Sequence, residues 1–312
     1  MNYNRYSTQF IDENDIIAVV NLLNSDFLTQ GPIGIEFERR IASYCGSKFG
    51  LACSSATAGL QLAYSALGVG PGSLVWTSPI TFAATANAAL NCGASVDFVD
   101  ISEADRNLCV TDLEKRLKIA SVNGQLPDLV VPVHFSGLSC NMNAIYELSK
   151  EFNFKIVEDA SHALGANYSS TNTEDFKVGN SKYSDATVFS FHPVKMITTG
   201  EGGMVLTNNE AIAEKIIALR SHGITRDKAK FETEDFKNST WYYEQQYLGQ
   251  NFRLSDLNSA LGLSQLMKLN EFVAKRRILA NLYLDAIDKT KFKLPENFTL
   301  RKSSWHLFVL EI

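Results

Sequence analysis

From Lys48 onward the chain alternates short apolar runs with longer amphipathic stretches, and this alternation constrains its fold more than any other feature. Phe49 to Cys53, Leu74 to Thr77, Ser95 to Val99, Leu129 to His134, Lys155 to Glu158 and Ala186 to Phe191 read as strands, with Gly202 to Thr207 as a further one. Thr57 to Leu67, Phe82 to Asn91, Asp112 to Ala120 and Met142 to Phe152 carry the helical spacing between them. Parallel strands need a crossover, and a helix is the usual one, so the pattern predicts an α/β fold with a mostly parallel central sheet flanked by helices. Functional groups in such a sheet gather on loops at the carboxyl ends of the strands.

Before the alternation begins, Asp12 can cap a helix through about Asn24, and Pro32 can open a second that ends at Gly46. Two polar stretches, Tyr168 to Lys182 and Thr225 to Gly249, read as loops or loop-bearing hairpins. Beyond Ser255 the chain is helical again, through S-D-L-N-S-A-L-G-L-S-Q-L and into a Lys275 to Asp288 helix, and W-H-L-F-V-L-E-I closes it as an expected strand. We therefore expect a large α/β domain over residues 1–250. Residues 251–312 are expected to supply connecting helices and the start of a smaller, incomplete C-terminal α/β domain.

With 312 residues, 45% of them hydrophobic, the chain can bury a sizeable core. A net charge of −5 and the lack of any lysine or arginine run argue against nucleic acid as a partner. No apolar run approaches a membrane span, which predicts a cytoplasmic protein. The five cysteines include no C-x-x-C pair and lie in or beside apolar segments, so buried reduced thiols are expected. The five histidines show no close metal-ligand spacing.

The stretch F-S-F-H-P-V-K-M-I-T-T-G-E-G-G carries Lys195 from a strand end into a glycine-rich turn. A lysine that bonds an aldehyde cofactor needs such a rigid, sheltered position beside close-approaching backbone. Most lysines are solvated, so this motif does not decide the matter alone. Asp159, in I-V-E-D-A-S-H-A-L-G-A, ends another strand, with His162 just beyond it. A buried carboxylate there suits pyridoxal phosphate, whose ring nitrogen must stay protonated; the plainer role is a turn cap. C-S-S-A-T-A-G-L runs from a strand into a helix and offers backbone N–H groups and hydroxyls to a phosphate, although Ser and Thr cap many helices that bind nothing. Ser190 could add a hydroxyl, and Phe82 could stack on a ring or fill the core. Neither G-x-G-x-x-G after a first strand nor a P-loop is present, which disfavours a nicotinamide dehydrogenase.

In this order, L-T-Q-G-P, S-S-A-T-A-G-L-Q-L-A, T-F-A-A-T-A-N-A-A-L, E-D-A-S-H-A-L-G-A, F-S-F-H-P-V-K with its G-E-G-G, and N-F-R-L-S-D resemble the DegT/DnrJ/EryC1/StrS sugar-nucleotide aminotransferases. These are a branch of the fold type I pyridoxal-phosphate-dependent transferases. The resemblance implies that Lys195 bonds the cofactor and later moves a proton between cofactor and substrate carbons, and that Asp159 pairs with the ring nitrogen. It places His162 beside the ring hydroxyl, Thr57, Ala58 and Ser190 at the phosphate, Phe82 on the ring and Asn251 at the phosphate of a neighbouring subunit. A homodimer with shared active sites follows.

Several of these segments, with L-R-S-H-G-I, are most similar to the branch that serves pseudaminic acid biosynthesis. That likeness implies transfer of an amino group from glutamate to C4 of a UDP-linked 4-keto-6-deoxy-N-acetylhexosamine. Other 3- or 4-aminotransferases of the family, and a non-catalytic binding or regulatory protein that keeps the fold, stay open as alternatives. A related dehydratase branch carries His at the lysine position, and Lys195 disfavours it. Met196 and the Gln250-Asn251-Phe252 run depart from the usual family pattern without removing a reactive group.

Overall fold

The computed structural model describes residues 7–168, 176–236, 238–295 and 302–312. It begins with helices α1 (Glu13–Leu23) and α2 (Pro32–Cys45). Asp12 caps α1 by accepting from the Asp15 N–H, while Asp15 returns the bond to the Asp12 N–H. Pro32 opens α2 at a position where its missing N–H costs nothing, and Gly46, with φ of 80°, ends it.

The sheet strands are β1 (Phe49–Cys53), β2 (Leu74–Thr77), β3 (Ser95–Phe98), β4 (Leu129–Val131), β5 (Lys155–Asp159), β6 (Ala186–Ser190) and β7 (Gly203–Thr207). Helices α3 (Ala56–Ala66), α4 (Ala84–Asn91), α5 (Val110–Asn123), α6 (Met142–Phe152) and α7 (Glu210–Leu219) lie between or after them. The seven strands pair in the order β1-β7-β6-β5-β4-β2-β3. All neighbours are parallel except β7, which runs antiparallel to both β1 and β6. The chain therefore has a mostly parallel central sheet flanked by helices, the architecture of a fold type I transferase.

Successive side chains of the central strands bury on opposite faces. Val130, Ile156, Phe189 and Met204 join one core with Phe37, Ile41, Leu113 and Leu269, whereas Val131, Val157, Val188 and Val205 join the other with Leu60, Tyr64 and Ile216. Helices on both faces are what make these strands apolar throughout rather than alternating. At about 1.5–3 kcal/mol for each fully buried large aliphatic or aromatic side chain, the two-sided burial holds the sheet ends in place for the site they carry.

The loop between Thr225 and Gly249 forms a short hairpin of β8 (Ile224–Thr225) and β9 (Glu244–Gln245). Of the Tyr168 to Lys182 loop, residues 169–175 lie outside the described residues. The helical stretch beyond Ser255 is one continuous helix, α8 (Asp256–Ala286), capped by the Ser255 hydroxyl. Residues 305–312 form no strand beyond an isolated bridge between Lys293 and Glu311. Instead the Ser304 and His306 N–H groups donate to the carbonyls of Gly137 and Ser136, so the main chain is satisfied by a loop and not by a sheet edge. Cys45, Cys53 and Cys140 are buried thiols outside any disulfide, while Cys92 and Cys109 are only half-buried. Among the described residues no helix is long and apolar enough to cross a membrane.

Candidate active site

The carboxyl ends of β1, β4, β5 and β6 open into one cavity of about 600 Å³. Thr57, Phe82, Asp159, His162, Ser190 and Lys195 all line it, so six residues singled out from the sequence meet in one place. Ala58 is buried behind the wall, and its N–H is committed to the Ser55 hydroxyl at 3.1 Å. Asn251 is exposed, bridges Ser221 through its backbone and does not reach this cavity.

Strand register explains the placement. Asp159 closes β5 opposite Val188, and its N–H donates to the Pro132 carbonyl, which holds the residue at the sheet edge. Ser190 closes β6 opposite Gly203. The chain then loops: Lys195 N–H donates to His192 O, Phe191 N–H to Gly202 O and Thr199 N–H to Phe191 O, which ties the lysine-bearing turn to its own ends. A Cβ added at Gly203 would lie 2.6 Å from the Ala56 nitrogen, so only glycine lets β7 pass beneath the start of α3.

Asp159 is 4% exposed, and both its oxygens are occupied. Thr85 donates its hydroxyl to Oδ2 at 2.7 Å; the Ser161 N–H and hydroxyl donate to Oδ1 at 3.1 and 2.6 Å. Burial lowers the Lys195 pKa below its ordinary value, and the negative charge of Asp159 opposes that shift. His162 is brought down to about 4, first by burial and then by the positive charge of Lys195.

The cavity wall also contains Thr81, Phe135, Ser161, Glu201 and His306, none of which was singled out from the sequence. The His306 ring lies 4.3 Å from that of His162, and burial, His162, Lys195 and Arg276 hold its pKa down to about 2. Nothing local marks His306: it reaches the site because Arg276 on α8 holds the Trp305 and His306 carbonyls at 3.2 Å. Thr81 lies in the loop before α4 and Thr85 in its first turn, so no helical spacing marked the pair.

A sheltered amine whose neutral form is favoured, a carboxylate held by three donors, and the start of an eleven-residue helix share this cavity. That donor set fits the aldehyde, ring nitrogen and phosphate of pyridoxal phosphate. Among the described residues no group of three His, Cys, Asp or Glu side chains is arranged to hold a metal ion.

The model of the DegT/DnrJ/EryC1/StrS aminotransferase family matches residues 9–312. The chain belongs to that family. It is 43% identical over 304 residues to the UDP-4-amino-4,6-dideoxy-N-acetyl-β-L-altrosamine transaminase of Campylobacter jejuni serotype O:2, covering 97% of this chain and 75% of that one. The solved structure of Helicobacter pylori PseC, an aminotransferase involved in pseudaminic acid biosynthesis, matches with a TM-score of 0.85 and 34% identity. The match covers 98% of this chain and 76% of that one. The sugar aminotransferase Spr1654 of Streptococcus pneumoniae, described as putative, matches in its PMP form with a TM-score of 0.85 and 27% identity, over 99% of this chain and 78% of that one. The same protein is also known in a PLP form.

Proposed function

We infer that this aminotransferase uses pyridoxal phosphate to move an amino group from glutamate to C4 of a UDP-linked 4-keto-6-deoxy-N-acetylhexosamine. The observation that carries the reading is the placement of Lys195 and Asp159 on the wall of one cavity with the α3 start. The choice of sugar is supported by the 43% identity to the altrosamine transaminase.

When bound, pyridoxal phosphate supplies a ring that withdraws electrons from the amino-bearing carbon of a substrate. Lys195 does the proton work: its burial favours the neutral amine, which can take a proton from the donor's α-carbon and return one to the sugar carbon in the reverse half-reaction. Asp159, acceptor to three donors, offers an oriented carboxyl group to a ring nitrogen beside it. The N-terminus of α3 and the Ser190 hydroxyl offer a phosphate dipole and donors, with Thr57 on the same wall. Phe82, 75% exposed, lines the cavity as a candidate stacking partner for a flat ligand, and His162 lines the same cavity. Asn251, exposed and away from its own cavity, is free to serve the phosphate end of a second copy in a homodimer.

Absorption spectroscopy tests the reading. Purified protein mixed with pyridoxal phosphate should develop a visible band that glutamate bleaches, and Lys195→Ala should lose the covalent band. A colourless wild type, insensitive to glutamate, would refute it. Product analysis with C3- and C4-keto UDP-sugars then reads the position aminated.

A further inference from the structure

Asp159 does not stand alone in its site: a chain of two threonines reaches it from the loop after β2 and the first turn of α4. Thr85, in the first turn of α4, is completely buried and donates its hydroxyl to Asp159 Oδ2 at 2.7 Å. Thr81, on the cavity wall, lies with its Oγ1 2.6 Å from the Thr85 Oγ1. A hydroxyl has one proton. The carboxylate can only accept, so the Thr85 proton is committed to Asp159, and Thr81 must donate to Thr85. The direction of the chain is thus set as Thr81 to Thr85 to Asp159. Tyr64 fastens the other side of Thr85, donating its phenol to the Thr85 carbonyl at 3.2 Å.

We propose that Thr85, backed by Thr81, is a positioning residue that fixes the orientation of Asp159, and through it the protonation of the cofactor's ring nitrogen. The proposal rests on the pyridoxal-phosphate reading above. A hydroxyl donated to a buried carboxylate stabilises the anion, so a proton shared between Asp159 and a ring nitrogen lies farther toward the nitrogen. Without Thr85 the proton shifts toward Asp159 and the ring withdraws electrons less strongly. Other groups facing Asp159 do not replace Thr85. Ser161 occupies the opposite carboxylate oxygen; Lys195 and His162 act across the cavity, with His306 behind His162. The Tyr64 phenol, whose pKa burial and Asp159 raise well above the ordinary value, stays neutral.

The measurement is a pH titration of the visible band of the pyridoxal-phosphate-loaded protein, for wild type, Thr85→Val, Thr85→Ser and Thr81→Val. A ring that withdraws less leaves the lysine-bonded nitrogen more basic. The Thr85→Val midpoint should therefore rise by about half a pH unit or more, a fraction of what one hydrogen bond to a charged group is worth. Thr85→Ser, which keeps the hydroxyl, should titrate as wild type, and Thr81→Val should shift the midpoint the same way by less. If Thr85→Val does not fold, Thr81→Val at the cavity wall reads the same chain. A wild-type midpoint in Thr85→Val, or in Thr81→Val where that variant stands in, overturns the proposal while leaving the cofactor reading intact. A wild type that forms no band overturns both.

Discussion

Replacing His134 with leucine probes the buried network that lies behind Asp159. His134 and Glu158 are both 0% exposed, and His134 Nε2 lies 2.6 Å from Glu158 Oε2. The Cys140 N–H donates to His134 Nδ1 at 3.2 Å, which leaves the imidazole proton on Nε2, aimed at the carboxylate. Glu158 Oε1 accepts from Tyr168 at 2.8 Å, from Thr187 at 2.9 Å and from Ser184. Burial, the largest single influence, pushes the Glu158 carboxyl up. The hydrogen bond with His134, together with those from Ser184 and Tyr168, outweighs it and holds the group below its ordinary 4.5. A folded-state pKa below the unfolded one means that this group's contribution to stability is present above the unfolded value and lost as pH falls through the folded one.

Leucine removes the donor on Glu158 Oε2 and the acceptor that the Cys140 N–H uses on His134. A hydrogen bond to a charged group is worth about 1.5–3 kcal/mol. A loss of about 2 kcal/mol or more at neutral pH is expected, a sizeable part of the roughly 5–15 kcal/mol that holds a protein folded. The pH dependence should also weaken. Without the His134 bond the folded Glu158 pKa moves upward, so the variant gains less stability than the wild type as pH climbs from about 4 toward neutrality. Urea unfolding followed by circular dichroism across that range reads both effects. A variant midpoint equal to that of the wild type at neutral pH, or one that rises with pH as steeply as the wild type's, would refute the assignment of His134 as a donor that holds the Glu158 carboxyl down.

Two further outcomes follow from the site. Covalent capture of pyridoxal phosphate by the apo chain should rise with pH around a midpoint below the ordinary lysine value of 10.5, because burial favours the neutral Lys195 amine; stopped-flow absorbance measures it, and a midpoint at or above 10.5 would contradict the buried placement. Gly137 has a φ of 91°, and an added Cβ would lie 2.9 Å from the His162 carbonyl and against the Ser304 hydroxyl. Gly137→Ala should therefore loosen the Ser303 to Leu307 segment, seen as faster amide exchange there, while unchanged exchange would show that the contact can relax.

Much of the frame was legible because it is locally encoded. Phe49–Cys53, Leu74–Thr77 and Met142–Phe152 were read with the bounds they have in the structure, since apolar runs and caps such as Asn141 state them within a few residues. Asp159, Ser190 and Lys195 were readable as loop-end groups for the same reason, and the cavity unites them because parallel strands share an end. The closing strand misread at W-H-L-F-V-L-E-I shows the limit. Its apolar residues are real, but Leu138, Ala280 and Trp305 pack together and draw the segment against a loop and α8.

Period and composition thus determined, from the sequence alone, that the chain alternates strands and helices, that a carboxylate ends one strand and that a lysine follows the end of another. Tertiary structure alone decided that β7 enters antiparallel between β1 and β6, that Thr85 donates to a carboxylate 74 residues away, and that His306 walls the cavity. Periodicity records which face of an element is buried, a property of each residue and its near neighbours. Which distant surface does the burying is set by packing, where side chains far apart in the chain meet.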